Sequence, residues 1–518
     1  SENMKLHKYI IGLLAGSILY SCSNFDDVNT NPDSITKVTP SLLATGAIMT
    51  MMKPNEKKSF INHQLVTKHL AWSEMVEEST QYNNFGKDGF DGYTSLRNCQ
   101  IMAELAEESS LPEEKKNAYK GLALFLKAYR LFNYTLSVGD IPYEGILEGA
   151  SSNFTVAYNT QKEVFQLLLK DLDQAHTYFQ GAKNSQGAYA AFDGDPIFNG
   201  NSEKWHRVSN TLELRVLSML SKKENDTDIN VKSKFAEVMG RGILLNSNQD
   251  NLQLVFSSKA GQLYPFNETL QSYKQYAMIS TTVIDVLKSY QDYRLFYYAK
   301  PSEEKLSQGI SADDWAAYVG TDPSDKFDDI AAQTAFCNLN DRYTSYEPGE
   351  PLIYIGYAEL NFLLAEAALR GWINEDASSY YKKGIEASMR FTVDNTPDQE
   401  VYHHKRRITD EVINTTINNP AIQLTGDFES DLQKIMQQKY LAGFMQIPYL
   451  TYYDYRRTGY PEFPVNPETN RNSYAPDKMP MRWMYPKREY DYNKENIDEA
   501  VNRQYGGSDD INQLMWIL

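Results

Sequence analysis

The sequence feature that most constrains the fold is a set of long apolar stripes at helical spacing, with few residues to interrupt them. The clearest stripe follows Pro112, with apolar residues three or four positions apart at Ala118, Leu122, Phe125, Leu126, Tyr129 and Phe132. Such spacing gives a helix one continuous apolar face. The 518 residues include 28 glycines and 20 prolines, together about 9% where about 12% is usual. This shortage of helix breakers favours long helices over a fold with many β-turns.

Five helices can be delimited from these patterns. They are predicted at residues 112–138, 161–179, 202–220, 354–370 and 377–390. The first opens on a proline followed by two glutamates, which suit the N-terminal turn of a helix. The last two form a pair joined through Gly371, as in tetratricopeptide-type packing. The pattern therefore predicts a mostly α-helical fold built from helix pairs.

Two segments lack this periodicity. Residues 302–350 are polar and contain Asp, Gly and Pro, so we predict a long surface excursion there. Residues 452–494 are crowded with Pro, Arg and Tyr and are predicted to be too irregular for helix. No Gly/Ser-rich linker divides the chain. We therefore predict a single domain over residues 41–518, in which tetratricopeptide-like helix pairs pack against an irregular, loop-rich half.

Charge and composition limit the function classes. The chain carries 51 Lys and Arg against 68 Asp and Glu, a formal net charge of −17. An acidic chain without a long basic run repels phosphate, which disfavours a nucleic-acid partner. The 37 tyrosines outnumber the 22 phenylalanines and 6 tryptophans. Tyrosine combines a flat apolar ring with a hydrogen-bonding hydroxyl and suits wet concave surfaces, although helix packing is the alternative for any single tyrosine.

The amino-terminal segment predicts export. Lys5 and Lys8 precede an apolar run over residues 9–20, which is too short to span a membrane, so residues 1–21 are predicted to be a secretory signal peptide. The run ends Leu-Tyr-Ser-Cys, which resembles a bacterial lipobox whose cysteine, here Cys22, is acylated. An ordinary signal peptide with an incidental cysteine is the alternative. The polar, acidic residues 22–40 are predicted to be a tether.

Catalytic and metal-binding signatures are missing from the sequence. There is no Gly-x-Ser-x-Gly, His-Glu-x-x-His, Walker or Gly-x-Gly-x-x-Gly motif. His63 and His69 are six residues apart and do not share a helical face. Cys99 and Cys337 have no metal-ligand spacing and are either buried thiols or a disulfide. The sequence therefore predicts no enzyme, no metal and no cofactor.

One segment of the sequence indicates a ligand-binding site. Residues 81–93 are rich in aromatic, amide and glycine residues, and Trp72 comes shortly before them. Flat rings beside amide groups suit a sugar ring or a peptide backbone. The candidate ligand contacts in this region are Trp72, Tyr82, Asn83, Asn84, Phe85 and Tyr93. Local packing or a partner interface is the alternative for each of them.

Several motifs, in the expected order, resemble one family. Residues 127–143 end in Gly-Asp-Ile-Pro-Tyr and are similar to the helix and following turn of SusD/RagB-type lipoproteins of Bacteroidota. Further matches are Lys-Trp at 204–205, Asn-Thr-Leu-Glu-Leu-Arg at 210–215, the Ala-Glu-Ala helix at 359–372, Asp-Tyr-Arg-Arg-Thr-Gly at 454–459 and Pro-Met-Arg at 480–482. One departure is Asp-Tyr-Arg at 292–294, where the family usually has Asp-Pro-Arg. The resemblance covers nearly the whole mature chain.

The resemblance implies a SusD-like fold and a transport function. A protein of this kind is lipid-anchored in the outer membrane, faces the cell exterior and closes a SusC-type TonB-dependent barrel like a lid. It captures an oligomeric nutrient without covalent chemistry. Both oligosaccharides and oligopeptides remain open as cargo. A surface glycosidase or peptidase, and a purely structural partner of the barrel, are the alternatives.

Analogy with the family also implies ligand contacts in a later loop. The candidates there are Trp315, Tyr318, Phe327, Asn338, Asn340 and Tyr343. The charged residues of the carboxy-terminal motifs are interpreted as a buried or half-buried ion-pair network. Its predicted members are Arg456, Arg457, Arg482 and Arg488 beside Asp454 and Glu489, because the planar guanidinium pairs carboxylates bidentately. A phosphate or acidic-sugar site is the alternative for this cluster.

Overall fold

The computed structural model describes residues 37–88, 90, 93–146 and 155–518. The predicted signal peptide, Cys22 and most of the predicted tether lie outside the described residues. Pro40, at the predicted end of the tether, is the first residue of the first described helix, which Thr39 caps through its side-chain oxygen.

The amino-terminal half is a row of packed helices. They are α1 (Pro40–Met52), α2 (Asn62–Val66), α3 (Tyr93–Glu108), α4 (Glu113–Val138), α5 (Gln161–Gln180), α6 (Ser202–Met219) and α7 (Val231–Gly240). Each of α3, α4, α5 and α6 packs against the next. These pairs bury the apolar stripes that the sequence shows, and the predicted helices at 112–138, 161–179 and 202–220 are confirmed to within about two residues.

The ends of α4 and α5 show why these helices stop and start where they do. Glu113 lies in the first turn of α4, and Gly139 ends this helix with a φ of 103°. A side chain at Gly139 would also collide with Gln504 and Tyr505, so both the backbone angle and the packing require glycine. Helix α5 starts with a capping box in which Thr160 and Glu163 satisfy each other's backbone N–H groups.

The carboxy-terminal half combines long helix pairs with short helices. Its helices are α8 (Thr281–Ser289), α9 (Arg294–Tyr298), α10 (Glu303–Ser307), α11 (Phe327–Ala332), α12 (Asp341–Thr344), α13 (Tyr357–Leu369), α14 (Ala377–Asp394), α15 (Glu400–His403), α16 (Asp410–Ile417), α17 (Phe428–Ala442), α18 (Leu450–Thr458), α19 (Lys487–Tyr492) and α20 (Lys494–Tyr505). Helices α13 and α14 form the predicted pair, and α17 packs on both. In the described ranges, none of the helices is long and apolar enough to cross a membrane.

Two short antiparallel ribbons join distant parts of the chain. Strand β1 (Leu70–Trp72) pairs with β3 (Ala277–Ile279), and β2 (Leu252–Leu254) pairs with β4 (Leu352–Ile355) with one irregularity in register. The mostly helical fold with little sheet is the predicted class, and that prediction is confirmed.

Two predictions about irregular segments are wrong in part. The segment 302–350 is not a surface excursion throughout, because Cys337 and Thr321 bond to the backbone of β3 and draw the segment into the core. The segment 452–494 is not free of helix, because it contains most of α18 and all of α19. Buried arginines and an aspartate in α18 interrupt the apolar stripe that would reveal a helix in the sequence.

The predicted ion-pair network is confirmed around Arg457 and differs elsewhere. Arg457 binds Asp454 and also Glu366 of α13. Arg482 instead pairs with Asp509 at 2.5 Å. Glu489 accepts a hydrogen bond from the Tyr158 hydroxyl. Arg456 is buried and forms no ion pair with any described residue.

Cys99 and Cys337 are free, buried thiols. Burial raises the pKa of Cys99 and of Cys337 to about 12, so neither is a thiolate at neutral pH. The structure thus decides between the two states that the sequence leaves open.

Buried histidines predict loss of stability in mild acid. His69 stacks on Tyr440 with 3.8 Å between ring centroids, and burial lowers the pKa of His69 to about 3. Burial likewise lowers the pKa of His206 to about 3. Between about pH 6.5 and pH 3, these histidines are protonated in the unfolded chain but not in the folded one. The free energy of unfolding therefore falls as the pH decreases through this interval.

We expect the melting temperature to fall steadily between about pH 6.5 and pH 4.5. A His206→Gln variant should start from a lower melting temperature and lose less over the same range, because its glutamine does not titrate. Differential scanning fluorimetry at constant ionic strength measures both curves. A wild-type melting temperature that stays level or rises over this interval would contradict the expectation.

Candidate functional site

A cavity of about 390 Å³ lies where the two halves of the chain meet. Its walls come from the end of α1, one face of α4, the segment 83–88, the start of α18 and the segment before α19. Six aromatic side chains contribute to its lining: Tyr129, Tyr134, Tyr354, Tyr449, Tyr453 and Trp483. We call this cavity the aromatic pocket. Its volume is within the usual range for a small-molecule site, about 300–1,000 Å³.

Helix α4 gives the aromatic pocket a rigid wall. Tyr129, Arg130, Asn133 and Tyr134 recur at helical spacing and therefore share one side of the helix. Much of the rest of α4 is buried in the core, including Phe125 and Phe132. A wall held in this way keeps its side chains in place before any ligand arrives, which reduces the entropy lost on binding.

Trp483 is held in the opposite wall by backbone hydrogen bonds on both sides. The backbone N–H of Trp483 donates to the Ser137 carbonyl at 3.0 Å. The backbone of the next residue, Met484, donates to the Gly86 carbonyl and accepts from the Asp88 N–H. The Phe85 ring stacks on the indole with centroids 4.5 Å apart and planes inclined by 15°. The segment 83–88 therefore supports Trp483 from behind.

Backbone strain is concentrated beside this wall. Met445, Ile447 and Tyr449 have φ angles of 61°, 38° and 64°, in the left-handed region that non-glycine residues rarely adopt. The strain is maintained by hydrogen bonds from Met445 to the Gln64 side chain and from Ile447 to the backbone of β4. It places Tyr449 at the start of α18, one turn before Tyr453. Such strain is common where a site must hold a side chain in a fixed position.

The aromatic pocket contains polar groups that the described protein does not satisfy. The hydroxyls of Tyr449 and Tyr453 and the indole N–H of Trp483 have no hydrogen-bond partner among the described residues. Burial raises the pKa of Tyr449 to about 12 and that of Tyr453 well above its usual value. Both hydroxyls are therefore neutral donors at physiological pH, and the indole N–H does not ionise.

The charged groups of the lining are Lys87, Asp88 and Arg130. The Arg130 guanidinium donates to the Thr50 carbonyl at 3.4 Å and forms no ion pair with a described residue. The Lys87 ammonium lies 5.3 Å from the centre of the Tyr490 ring. Within the described residues, no three His, Cys, Asp or Glu side chains are grouped to hold a metal ion. Aromatic faces with fixed donors are suited to reversible binding of a polar ligand.

Comparison with known proteins identifies the family. Residues 32–486 match the family model SusD-like_2, described as starch-binding and associating with the outer membrane. The chain belongs to the SusD-like family. No curated protein matches the chain.

Solved structures of SusD homologues share the fold along nearly the whole chain. A SusD homologue from Bacteroides fragilis is 50% identical, with a TM-score of 0.88, over 93% of this chain and 100% of that one. A second homologue from the same species is 32% identical, with a TM-score of 0.80, over 93% and 99%. A chitin-binding SusD homologue from Flavobacterium johnsoniae is 22% identical, with a TM-score of 0.68, over 92% and 98%, and shows likeness of fold.

In this SusD-like protein, most of the predicted early contacts support the site rather than face it. Trp72 is fully buried between Tyr273 and Tyr276 and has no surface to offer a ligand. Tyr82 is buried and donates to the Asp325 carbonyl at 2.8 Å. Asn83 is buried and accepts a hydrogen bond from the Lys68 ammonium. These three are corrected to packing roles in the present structure, because buried, bonded side chains cannot stack on a ligand.

The other early candidates have different positions. Phe85 is also buried, yet it touches the aromatic pocket through its stack on Trp483. Asn84 is exposed and stays a candidate contact. Tyr93 is the first residue of α3, and its side chain lies outside the described part of the chain.

The later candidates do not converge on the aromatic pocket. Tyr318, Asn340 and Tyr343 are fully buried, so direct ligand contact by them is corrected to core packing. Asn338 ties its own segment to β3 through the Ala277 carbonyl. Trp315 is half-buried and packs on Phe296 with ring centroids 4.7 Å apart, while Phe327 starts α11. The half-exposed Trp315, Phe327 and Asn338 stay predictions.

Sequence reasoning missed Tyr449, Tyr453 and Trp483. All three lie in or beside the segment judged too irregular for helix. A usable signal was present, because Tyr-rich sequence around a Pro-rich loop indicates aromatic side chains on non-repetitive backbone, which is where binding residues are common. Tyr134 and Tyr129 gave no signal, since their spacing is also that of an ordinary buried helix face.

Proposed function

We propose that this SusD-like protein captures an oligomeric nutrient in the aromatic pocket at the cell surface. The observation that carries the proposal is a preformed cavity of about 390 Å³ in which the hydroxyls of Tyr449 and Tyr453 and the Trp483 indole have no partner among the described residues. Donors left without partners next to flat aromatic faces match the alternating hydroxyls and apolar faces of sugar rings.

The cargo proposed first is an oligosaccharide, and an oligopeptide is the alternative. The starch-binding description of the family and the chitin-binding homologue support a glycan. Amide groups such as those of Asn84 and Asn133 suit a peptide backbone as well as a sugar.

We further propose that the protein is anchored through an acylated Cys22 and closes a SusC-type TonB-dependent barrel. The support is the lipobox-like sequence ending at this cysteine and the membership of an outer-membrane-associated family. A lid needs only to bind and release, and aromatic faces with hydrogen-bond donors suit reversible binding.

A conservative pair of substitutions tests the binding function. We expect Tyr449→Phe to weaken binding of the cognate oligomer about three- to tenfold, because it removes one hydroxyl donor and leaves the ring and backbone in place. The double variant Tyr449→Phe/Tyr453→Phe should lose more. Tyr474→Phe is the matched control, since Tyr474 is 86% exposed and lies outside the pocket.

Isothermal titration calorimetry against a panel of soluble oligosaccharides and a protein digest measures these changes. Binding that is equal in all four proteins would contradict the assignment of the aromatic pocket. Hydrolysis of a bound oligomer by the purified protein would contradict a purely non-catalytic function.

A further inference from the structure

The aromatic pocket carries more positive than negative charge, although the whole chain is acidic. Lys87 and Arg130 contribute two cations to its lining, and Asp88 is the acidic residue among its described lining. The whole chain has the opposite balance, with 68 acidic and 51 basic residues. A local reversal of charge in a concave site indicates what the site attracts.

Arg130 is placed to receive an anion. Its guanidinium is half-exposed on the pocket face of α4 and has one long hydrogen bond, of 3.4 Å, to the Thr50 carbonyl. No described carboxylate pairs with it. The planar fork of arginine matches a carboxylate in two parallel hydrogen bonds, so an unpaired guanidinium in a pocket wall is a preformed carboxylate receptor.

Arg456 adds a buried cation behind the same wall. It is 4% exposed, forms no ion pair with a described residue, and its Nε atom has no hydrogen-bond partner. The guanidinium is 4.7 Å from the centre of the Tyr453 ring, which itself lines the pocket. Burial lowers the pKa of Arg456, as expected for a cation without a carboxylate partner.

An uncompensated cation in a low-dielectric region makes its surroundings favourable for negative charge. Arg456 is stabilised in part by a hydrogen bond from Nη1 to the Met481 carbonyl at 2.7 Å, by cation–π contacts with two tyrosine rings and by the C-terminal end of the α18 dipole. They do not bring a formal negative charge. The other arginines that the sequence groups with Arg456 are different: Arg457 and Arg482 are each paired with carboxylates and cannot receive an anion.

Resting on the proposed binding function, we infer that the oligosaccharide taken by the aromatic pocket is acidic, with a sugar carboxylate seated at Arg130. The hydroxyls of Tyr449 and Tyr453 are donors of the type that a carboxylate accepts, and the Trp483 indole offers a face for the neighbouring sugar ring. The inference commits to a uronic-acid-containing glycan, in which the carboxylate and the stacking face occur in the same repeating unit.

The experiment compares oligouronates with the same oligomers after methyl esterification, which removes the charge and keeps the sugar backbone. Galacturonate, glucuronate and mannuronate oligomers are the probes, with binding measured by calorimetry at low and high salt. We expect the free acids to bind at least about tenfold more tightly than their esters, and salt to weaken the acids selectively. Arg130→Met should remove most of that difference and leave ester binding within about twofold.

Arg97→Met is the matched control, because Arg97 is a half-exposed arginine on α3 outside the pocket lining. The Arg97→Met protein should keep the wild-type preference for the free acid over the ester. Equal binding of acids and esters, or an Arg130→Met protein that keeps the preference, would overturn the inference. Tight binding of acidic peptides in place of oligouronates would also overturn it.

Failure of this inference can be separated from failure of the proposed function. If neutral oligomers bind and Tyr449→Phe weakens them, the pocket binds cargo and only the charge assignment is wrong. If no oligomer of either charge binds, the assignment of the pocket itself is contradicted.

Discussion

Arg457→Met is expected to lower the free energy of unfolding by about 3–5 kcal/mol, because it leaves buried carboxylates without their cation. Both terminal nitrogens of Arg457 donate to the Glu366 carboxylate, at 2.6 and 2.7 Å. Its Nε also donates to Asp454 at 3.0 Å. Arg457 and Glu366 are each 1% exposed, so water cannot replace the lost bonds.

The Arg457–Glu366 ion pair links two helices of the carboxy-terminal half. Glu366 belongs to α13, whereas Arg457 and Asp454 belong to α18, next to the strained segment of the aromatic pocket. The Arg457 guanidinium holds the pKa of Glu366 well below its usual range, although burial acts in the opposite direction. Protonation of Glu366 at low pH therefore removes stability that is present above its ordinary pKa.

Denaturant unfolding, followed by both tryptophan fluorescence and circular dichroism, measures the effect of Arg457→Met. Arg390→Met is the control, because Arg390 also pairs with two carboxylates but is 42% exposed, and it should cost less than about 1 kcal/mol. A change of less than about 1 kcal/mol in Arg457→Met would show that the buried network contributes no more than a surface ion pair.

Trp483→Ala is expected to weaken ligand binding at least about 30-fold, or about 2 kcal/mol, because it removes the largest stacking face of the aromatic pocket. The indole touches Phe85, Tyr449 and Tyr452 through ring contacts with centroids 4.5–5.5 Å apart. Its loss therefore also frees the neighbouring rings, including Tyr449. Trp483→Phe keeps an aromatic face and should lose only a few-fold in affinity.

Tryptophan fluorescence gives a direct readout of the same residue. Ligand binding should shift the emission of the wild-type protein, and that shift should disappear in Trp483→Phe while calorimetry still detects binding. Trp315→Phe is the control, since Trp315 packs on Phe296 away from the pocket lining and should keep the ligand-induced shift. A shift that persists in Trp483→Phe and is lost in Trp315→Phe would place the ligand at the later loop.

The contrast between α4 and α18 shows how much of the fold could be read from the sequence. In α4 the buried face consists of apolar residues such as Leu122 and Phe125, and the helix is visible as a stripe. In α18 the buried face includes Asp454, Arg456 and Arg457. Their burial depends on carboxylates and rings contributed by other helices, which a local pattern cannot show.

The candidate site shows the same division. The sequence of residues 81–93 predicts rings that face a ligand, whereas Tyr82 and Phe85 are buried against the protein and Lys87 and Asp88 line the aromatic pocket. An aromatic residue beside amides and glycines has the same local sequence in both cases. Which face of a loop is covered depends on the segments packed over it, here residues 323–325 and 470–484.

By itself, the sequence determined the helical class, the helix pairs and the resemblance to the SusD/RagB family, because these properties are written in local periodicity and ordered motifs. The tertiary structure alone decided where the aromatic pocket lies. Tyr129 and Trp483 are 354 residues apart in the chain. They line one cavity because backbone hydrogen bonds to Ser137 and Gly86 hold the segment around Trp483 against α4. The donors without partners are likewise a property of packing, since a hydroxyl is satisfied or left free by neighbours that the linear sequence does not specify.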